Sequence, residues 1–266
     1  MREDEIESLI GAAHAAADAA REPILRRFRS PGLEAENKAA AGFDPVTLAD
    51  REAEAAMRAA LARLRPLDAI LGEEEAAKAG TSGLTWVLDP IDGTRAFLCG
   101  APVFGVLVAL HDGARPVFGL IDQPFTGERF AGGFGRAEWR RGAETRPLRA
   151  RRGVSLREAT LLSTFPEIGT EREREGFRAV SGRARLTRYG LDCYGYALLA
   201  LGQVDLVIEA GLQPYDVQAP IAVIEAAGGI VTDWRGGPAD AGGQVLAAGS
   251  PEIHAEALAL LAPYAA

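Results

Sequence analysis

The chain of 266 residues has only two cysteines, Cys99 and Cys193. Neither stands in a CxxC pair or at a zinc-ligand spacing, which excludes a disulfide-stapled scaffold and a cysteine-rich metal site. Both are expected to be inert thiols in a reducing cytoplasm. Histidine is almost as scarce: His14, His111 and His254 lie far apart and outside any motif, so none is assigned a catalytic role. No run of about 18 apolar residues occurs, and no apolar signal segment with a cleavage site follows the acidic start Met1-Arg2-Glu3-Asp4-Glu5, so neither membrane spanning nor secretion is expected. Positive charge is in deficit, with 29 Lys and Arg against 37 Asp and Glu. The resulting net charge of −8 argues against generic binding of nucleic acid or of an anionic membrane. Repeats with a period of about 20–50 residues are also missing, which removes solenoids and propellers.

What is present is ordinary globular material, 48% hydrophobic and 25% charged, long enough to bury a sizeable core. Apolar residues from Ile6 to Phe28 fall at helical spacing, with a perturbation expected at Pro23. A loop over Asn37 to Asp44 leads to a second helix from Thr47 to Leu64, closed by Pro66. Ala69 to Leu71 and Trp86 to Leu88 read as short strands, and Val103 to His111 with Pro116 to Asp122 as a hairpin turned by Asp112-Gly113. Glu128 to Gly132 reads as another strand, and the arginine-rich segment Arg136 to Arg152 as strand edge and linker. From Ala159 onward strands and helices alternate, which suggests a sheet covered by helices. An α+β half over residues 1–146 and an α/β half over residues 147–266 are expected to form one compact unit.

The most informative stretch is Trp86-Val87-Leu88-Asp89-Pro90-Ile91-Asp92-Gly93-Thr94. Asp89 ends a buried strand, where open α/β sheets bind ligands. Pro90 is expected to turn the chain, and Asp92 to cap a helix whose free N–H groups attract an anion. Carboxylates alone repel phosphate, so the two features make sense together only with cations between them, which points to Mg²⁺-assisted phosphate chemistry. On a chain this acidic, metal ions or a basic rim must supply the positive charge. Other acids stand where strands or turns end: Glu73 after the strand Ala69 to Leu71, Asp216 at the start of a helix, and Asp44 and Asp50 flanking the second helix. Taken singly, each of these is as well explained by capping or solvation.

Together, Asp44-Pro45-Val46-Thr47-Leu48-Ala49-Asp50, Gly72-Glu73-Glu74, Asp89-Pro90-Ile91-Asp92-Gly93-Thr94 and Pro214-Tyr215-Asp216 resemble the inositol monophosphatase-like family of Mg²⁺-dependent phosphatases, in order and spacing, over most of the chain. The resemblance implies an αβαβα sandwich of the sugar-phosphatase type, a layered α/β (α+β) fold. It implies that Asp89 bridges two Mg²⁺ ions, with Glu73 and the carbonyl of Ile91 completing one site and Asp92 and Asp216 the other. Such hard oxygen ligands suit Mg²⁺, and two or three ions per site are expected. Metals about 3.5–4 Å apart polarise the phosphoryl group and stabilise attacking and leaving oxygens. A metal-activated water is then the nucleophile, without a covalent intermediate. Thr94 with Asp50 resembles the dyad that orients this water, Glu73 shares the catalytic role, and the N–H groups of Gly93 and Thr94 hold the phosphate. Lys38 is a candidate for added positive charge. A cytoplasmic homodimer and sensitivity to lithium are further implications.

Tyr189-Gly190-Leu191-Asp192-Cys193-Tyr194-Gly195-Tyr196 and Glu209-Ala210-Gly211-Leu212-Gln213-Pro214-Tyr215-Asp216 resemble one branch of the family, the histidinol-phosphate phosphatases. Ile121-Asp122-Gln123-Pro124 with Glu128-Arg129-Phe130 points the same way. Charge gives an independent reason. Histidinol phosphate carries an ammonium group and an imidazole that is partly protonated near neutrality. Asp192 and Glu209 would complement that end, unless Asp192 is a simple helix cap and Glu209 a structural hydrogen bonder. Tyr194, Tyr196 and Tyr215 are candidates for stacking on imidazole, although helical spacing fits core packing of the first two equally well. Arg129 reads as a solvated strand residue, or as one reaching a site across a subunit interface. The expected reaction is hydrolysis of L-histidinol phosphate to L-histidinol and phosphate. The alternatives are an inositol-1-phosphate or broad small-molecule phosphatase on the same core, and a phosphometabolite-binding module without turnover.

Overall fold

Alternating apolar residues build two main sheets, each covered on both faces by helices, and residues 35–37 and 45–47 pair as a separate two-stranded sheet. The computed structural model describes residues 1–31, 33–37 and 45–266, so Lys38, Gly42 and Asp44 lie outside the described residues. Helix α1 (Glu3–Arg27) leads to β1 (Ala35–Asn37), β2 (Pro45–Thr47), α2 (Leu48–Leu64), β3 (Ala69–Gly72), β4 (Thr85–Asp92) and the short α3 (Thr94–Leu98). Strands β5 (Gly105–His111), β6 (Pro116–Gln123), β7 (Glu128–Gly133), β8 (Arg136–Arg141) and β9 (Glu144–Pro147) follow. The remainder runs β10 (Thr160–Ser163), α4 (Glu171–Ser181), β11 (Leu186–Tyr189), α5 (Asp192–Ala200), β12 (Leu206–Leu212), α6 (Pro214–Ala226), β13 (Ile230–Thr232), β14 (Gly243–Ala248) and α7 (Pro251–Leu261).

The larger sheet has the order β3-β4-β5-β6-β7-β8-β9, parallel between β3 and β4 and antiparallel elsewhere. The smaller has the order β11-β10-β12-β14-β13, with β10 parallel to both neighbours and β14 antiparallel to both of its own. Side-chain alternation assigns the layers. Trp86 and Leu88 of β4 join Leu9, Ala13, Met57 and Leu61 of α1 and α2, whereas Val87 joins Tyr196 of α5 and Val223 of α6. In β12, Val207 faces that same middle core, while Leu206 and Ile208 pack with Phe177 of α4 and Ile253 of α7. The layers are therefore α1/α2, the large sheet, α5/α6, the small sheet and α4/α7, the αβαβα sandwich expected from the sequence. Pro23 is buried and α1 runs through it to Arg27. The segment read as strand edge and linker forms β8 and β9. No helix among the described residues is long and apolar enough to cross a membrane.

Two contacts hold this frame around the site. Helix α6 approaches the large sheet almost backbone to backbone. A Cβ on Gly119 would lie 2.2 Å from the carbonyl oxygen of Ala219, and one on Gly132 would lie 2.7 Å from the Cα of Val223. Asp122, fully buried in β6, receives Nε and Nη2 of Arg21 at 2.8 and 2.6 Å and Nε of Arg129 at 2.7 Å. Arg129 also donates to Asp18 at 2.6 Å and lies 3.0 Å from Nδ1 of His14. Its reading as a solvated arginine is thus overturned: it is buried, tying α1 to β6 and β7 within one chain. Removing the shared carboxylate strips Arg21 of its ion pair and leaves Arg129 with Asp18 alone. Asp122→Ala is expected to cost about 3–5 kcal/mol in urea unfolding, and a loss below about 1 kcal/mol, as for an exposed pair, would show that the cluster does not hold the layers.

Candidate active site

The site grows from the end of β4. Asp89 pairs with Leu107 and Asp92 with Gly105, so the register with β5 slips by one residue between them. Pro90 sits in this bulge, where its missing N–H breaks no ladder bond. The expectation that Pro90 turns the chain is corrected: the strand continues to Asp92. The helix cap is likewise not Asp92 but Gly93, whose φ of +87° is open to glycine at little cost. A Cβ on Gly93 would also stand 3.0 Å from Cβ and Cγ of Asp192, so the loop and the start of α5 touch directly. Asp192 is itself in the left-handed region, at φ +44°, as the first residue of α5 rather than its cap.

Four elements, β4, α6, α2 and the turn after β3, bring carboxylates towards this point. Asp89 is buried, and its Oδ1 accepts the N–H of Ile91 at 3.0 Å. Asp92 accepts the N–H of Cys193 at 3.0 Å. Asp216 accepts the N–H of Gln213 at 2.7 Å and so closes the first turn of α6. Glu73 follows β3 on a turn pinned from beneath by Glu54, which is fully buried and accepts the N–H groups of Glu74 and Glu75 at 2.7 and 3.1 Å. Asp50, also buried, boxes the start of α2 by accepting from the backbone N–H and hydroxyl of Thr47 at 2.8 and 2.6 Å. The hydroxyl of Thr94 donates to the carbonyl of Ile91 at 3.1 Å and reaches Asp50 Oδ1 at 3.4 Å. The Thr94–Asp50 contact is therefore a long one, and the hydroxyl's nearer partner is the carbonyl of Ile91.

Burial and crowding shift these acids. Asp89 is pushed well above the ordinary carboxylate range, first by burial and then by the charges of Glu73, Asp92 and Asp216. Asp92 moves the same way, through burial and the charges of Asp192 and Asp216. Burial raises Asp50 to about 6, against the pull of its bonds to Thr47. Such mutual repulsion is what a divalent cation relieves, and the donors are the hard oxygens that Mg²⁺ takes. Among the described residues no three acidic, imidazole or thiol groups close into a finished cage. Mg²⁺ does not need one, since it keeps several waters and binds through one or two carboxylates plus substrate phosphate. The residues present fit the ion.

The acids open onto a cleft of about 460 Å³ lined by Glu73, Asp92, Thr94 and Asp216 together with Asp192, which lies beside Gly93, and Glu209. Glu209 is only 5% exposed; it accepts the N–H and hydroxyl of Thr164 at 2.6 and 2.9 Å, yet burial still raises it to about 7. Burial raises Asp192 to about 6, opposed by the positive charge of Arg95. Tyr215 lines the cleft, whereas Tyr194 packs on Phe130 and donates to Glu128 at 2.7 Å, away from it. Tyr196 is buried in the middle core. Arg95, Thr164 and Phe165 line the cleft and carry no sequence signal beyond the position of Arg95 next to Gly93-Thr94. Glu54 had none at all.

With this geometry in view, comparison with known proteins places the chain in a class. The sequence pattern of the inositol monophosphatase family matches residues 5–264, and the chain belongs to that family of phosphomonoesterases. It is similar to the bifunctional phosphatase IMPL2, chloroplastic, of Arabidopsis thaliana, with 39% identity covering 97% of this chain and 76% of that protein. It is similar to a histidinol-phosphatase of Streptomyces coelicolor at 34% identity, over 94% of this chain and 95% of the relative. Among solved structures, an inositol monophosphatase from Zymomonas mobilis superposes with a TM-score of 0.85 at 38% identity, covering 98% of this chain and 99% of that one.

Both the positive φ of Gly93 and its contact with Asp192 forbid a side chain there. Gly93→Ala is expected to lower phosphatase turnover at least about tenfold through strain and misplacement of Thr94, with an unchanged circular dichroism spectrum. Full activity in this variant would show that the loop works in another geometry.

Proposed function

We propose that this protein is a Mg²⁺-dependent histidinol-phosphatase, cleaving L-histidinol phosphate to L-histidinol and phosphate as a step in histidine biosynthesis. The observation that carries the reading is the second set of acids in the cleft. Asp192, half-buried beside Gly93, and Glu209, buried in β12, line the same cleft as the carboxylate cluster, where a phosphate monoester with a cationic leaving group meets both sets of acids at once. A neutral polyol gains little from two such acids. The near full-length similarity to a protein named histidinol-phosphatase supports the same choice.

The residues divide the work. Glu73, Asp89, Asp92, Asp216 and the carbonyl of Ile91 hold Mg²⁺, which when bound neutralises phosphoryl charge and makes water nucleophilic near neutral pH. The N–H groups of Gly93 and Thr94 orient the phosphate. The hydroxyl of Thr94 orients the attacking water, and Asp50 Oδ1, raised to about 6, takes up the proton. Asp192 and Glu209 bind the ammonium and imidazolium groups as ions. Two or three Mg²⁺ ions per site, a homodimer and a cytoplasmic place of work belong to the same reading.

The second reading is an inositol-1-phosphate phosphatase, favoured by the similarity to the Zymomonas mobilis structure. Phosphate release with Mg²⁺ separates the two. Histidinol phosphate is expected to exceed inositol 1-phosphate by about 10²-fold or more in kcat/KM, roughly 2.7 kcal/mol of transition-state discrimination; comparable rates would support the second reading. Asp192→Asn should lower kcat/KM at least about tenfold for histidinol phosphate, the order expected for one charge-assisted hydrogen bond, and leave inositol 1-phosphate within about twofold. Chelation should abolish release with either substrate, and Mg²⁺ should restore it; activity that survives chelation would remove the metal from the scheme.

A further inference from the structure

Phe165 does not fit its surroundings. It is 40% exposed, yet it lines a cleft whose other walls are largely carboxylates and polar backbone. The significance of the ring lies in its place, open to the cleft on the same wall as Thr164 and Glu209, where a ligand in the cleft can reach it. Its position is fixed from two sides. The carboxylate of Glu209 holds the N–H and hydroxyl of Thr164, and the hydroxyl of Ser163 donates to the carbonyl of Phe165 at 3.3 Å. On the other side the guanidinium of Arg95 lies 5.0 Å from the ring centroid. Arg95 follows Thr94 directly, and its charge also acts on Asp192. The ring is thus braced between Arg95, on α3, and the wall formed by β10 and β12.

We propose that Phe165 is a specificity-determining residue, a platform on which a flat, cationic heteroaromatic ring of the leaving group stacks while Asp192 and Glu209 take its charges. This rests on the histidinol phosphate reading. A rigid ring at the rim gives what two acids cannot: it selects shape, since a ringless amine satisfies carboxylates but not an aromatic face. Ring faces attract cations as well as other rings. Arg95 stands over the phenyl group as a fixed cation, 5.0 Å from its centroid. Arg95 is thereby a positioning residue for the platform.

The test compares wild type, Phe165→Ala, Phe165→Leu and Phe165→Trp on two substrates, histidinol phosphate and ringless glycerol 2-phosphate. The side chain is exposed, so folding is not at stake, and thermal melts verify this. Wild type should prefer histidinol phosphate. Ala and Leu should raise KM for histidinol phosphate about five- to tenfold with little change in kcat, Trp should retain wild-type KM, and glycerol 2-phosphate should shift less than about twofold in every variant. If wild type shows the preference but Ala and Leu leave it intact, or lower both substrates equally, the platform is overturned and the substrate reading stands. If wild type shows no preference, the substrate reading fails, and the platform with it.

Discussion

Like-charge repulsion inside the protein is the constraint around which the structure is built. Glu73, Asp89, Asp92 and Asp216 come from three separate elements, and burial together with their mutual charge raises Asp89 well above a free carboxyl. Left to themselves, such groups would separate or take up protons. They are kept together because each is fastened independently. Asp89 and Asp92 ride on a strand inside the large sheet, Asp216 closes a helix turn, and Glu73 sits on a turn that Glu54 grips from below. The near backbone contact of α6 with Gly119 and Gly132 matters for the same reason. A helix that stood off by one side-chain layer would carry Asp216 out of range.

The second set of acids in the cleft is organised differently. Glu209 is compensated locally by Thr164 and Asp192 by the charge of Arg95, although Asp192 also bears on both Asp92 and Glu209. An acid raised only to about 6 or 7 remains available as an ion near neutrality, provided a cation arrives. On the function proposed above, the carboxylate cluster calls for a divalent ion and the pair Asp192 and Glu209 for an organic cation. The distinction comes from how many neighbours each carboxylate has and how deeply it is buried, since the side chains are chemically alike.

Much of this was legible in the residues. The acids at strand ends and their order along the chain located the cluster, and the resemblance they carry anticipated the five layers. Legibility ended where a partner lay far away in the chain. Pro90 looks like a turn because the bulge that accommodates it exists only in register with β5. Arg129 looks like a surface residue because its partners Asp18 and His14 lie more than a hundred positions earlier, in α1. Glu54 is one acid among many along an amphipathic helix until β3 delivers the turn it holds. Arg95, Thr164 and Phe165 are ordinary residues in the one-dimensional text and become a wall only when β10 is laid beside β12. Lys38 and Asp44 lie outside the described residues.

The contact between Gly93 and Asp192 has a further bearing, on how such a chain can diversify. Position 192 opens the cleft to the leaving group, and its side chain rests directly on the backbone of the phosphate loop. Its own backbone has a positive φ, tolerated by glycine, asparagine and aspartate far better than by branched or bulky residues. A change at this position to anything bulkier or differently shaped than aspartate or asparagine therefore disturbs the Gly93 loop as well as the cleft. New preferences are more freely acquired at the rim, around residues 164 and 165, where a substitution alters the wall of the cleft and leaves the reacting phosphate where it was.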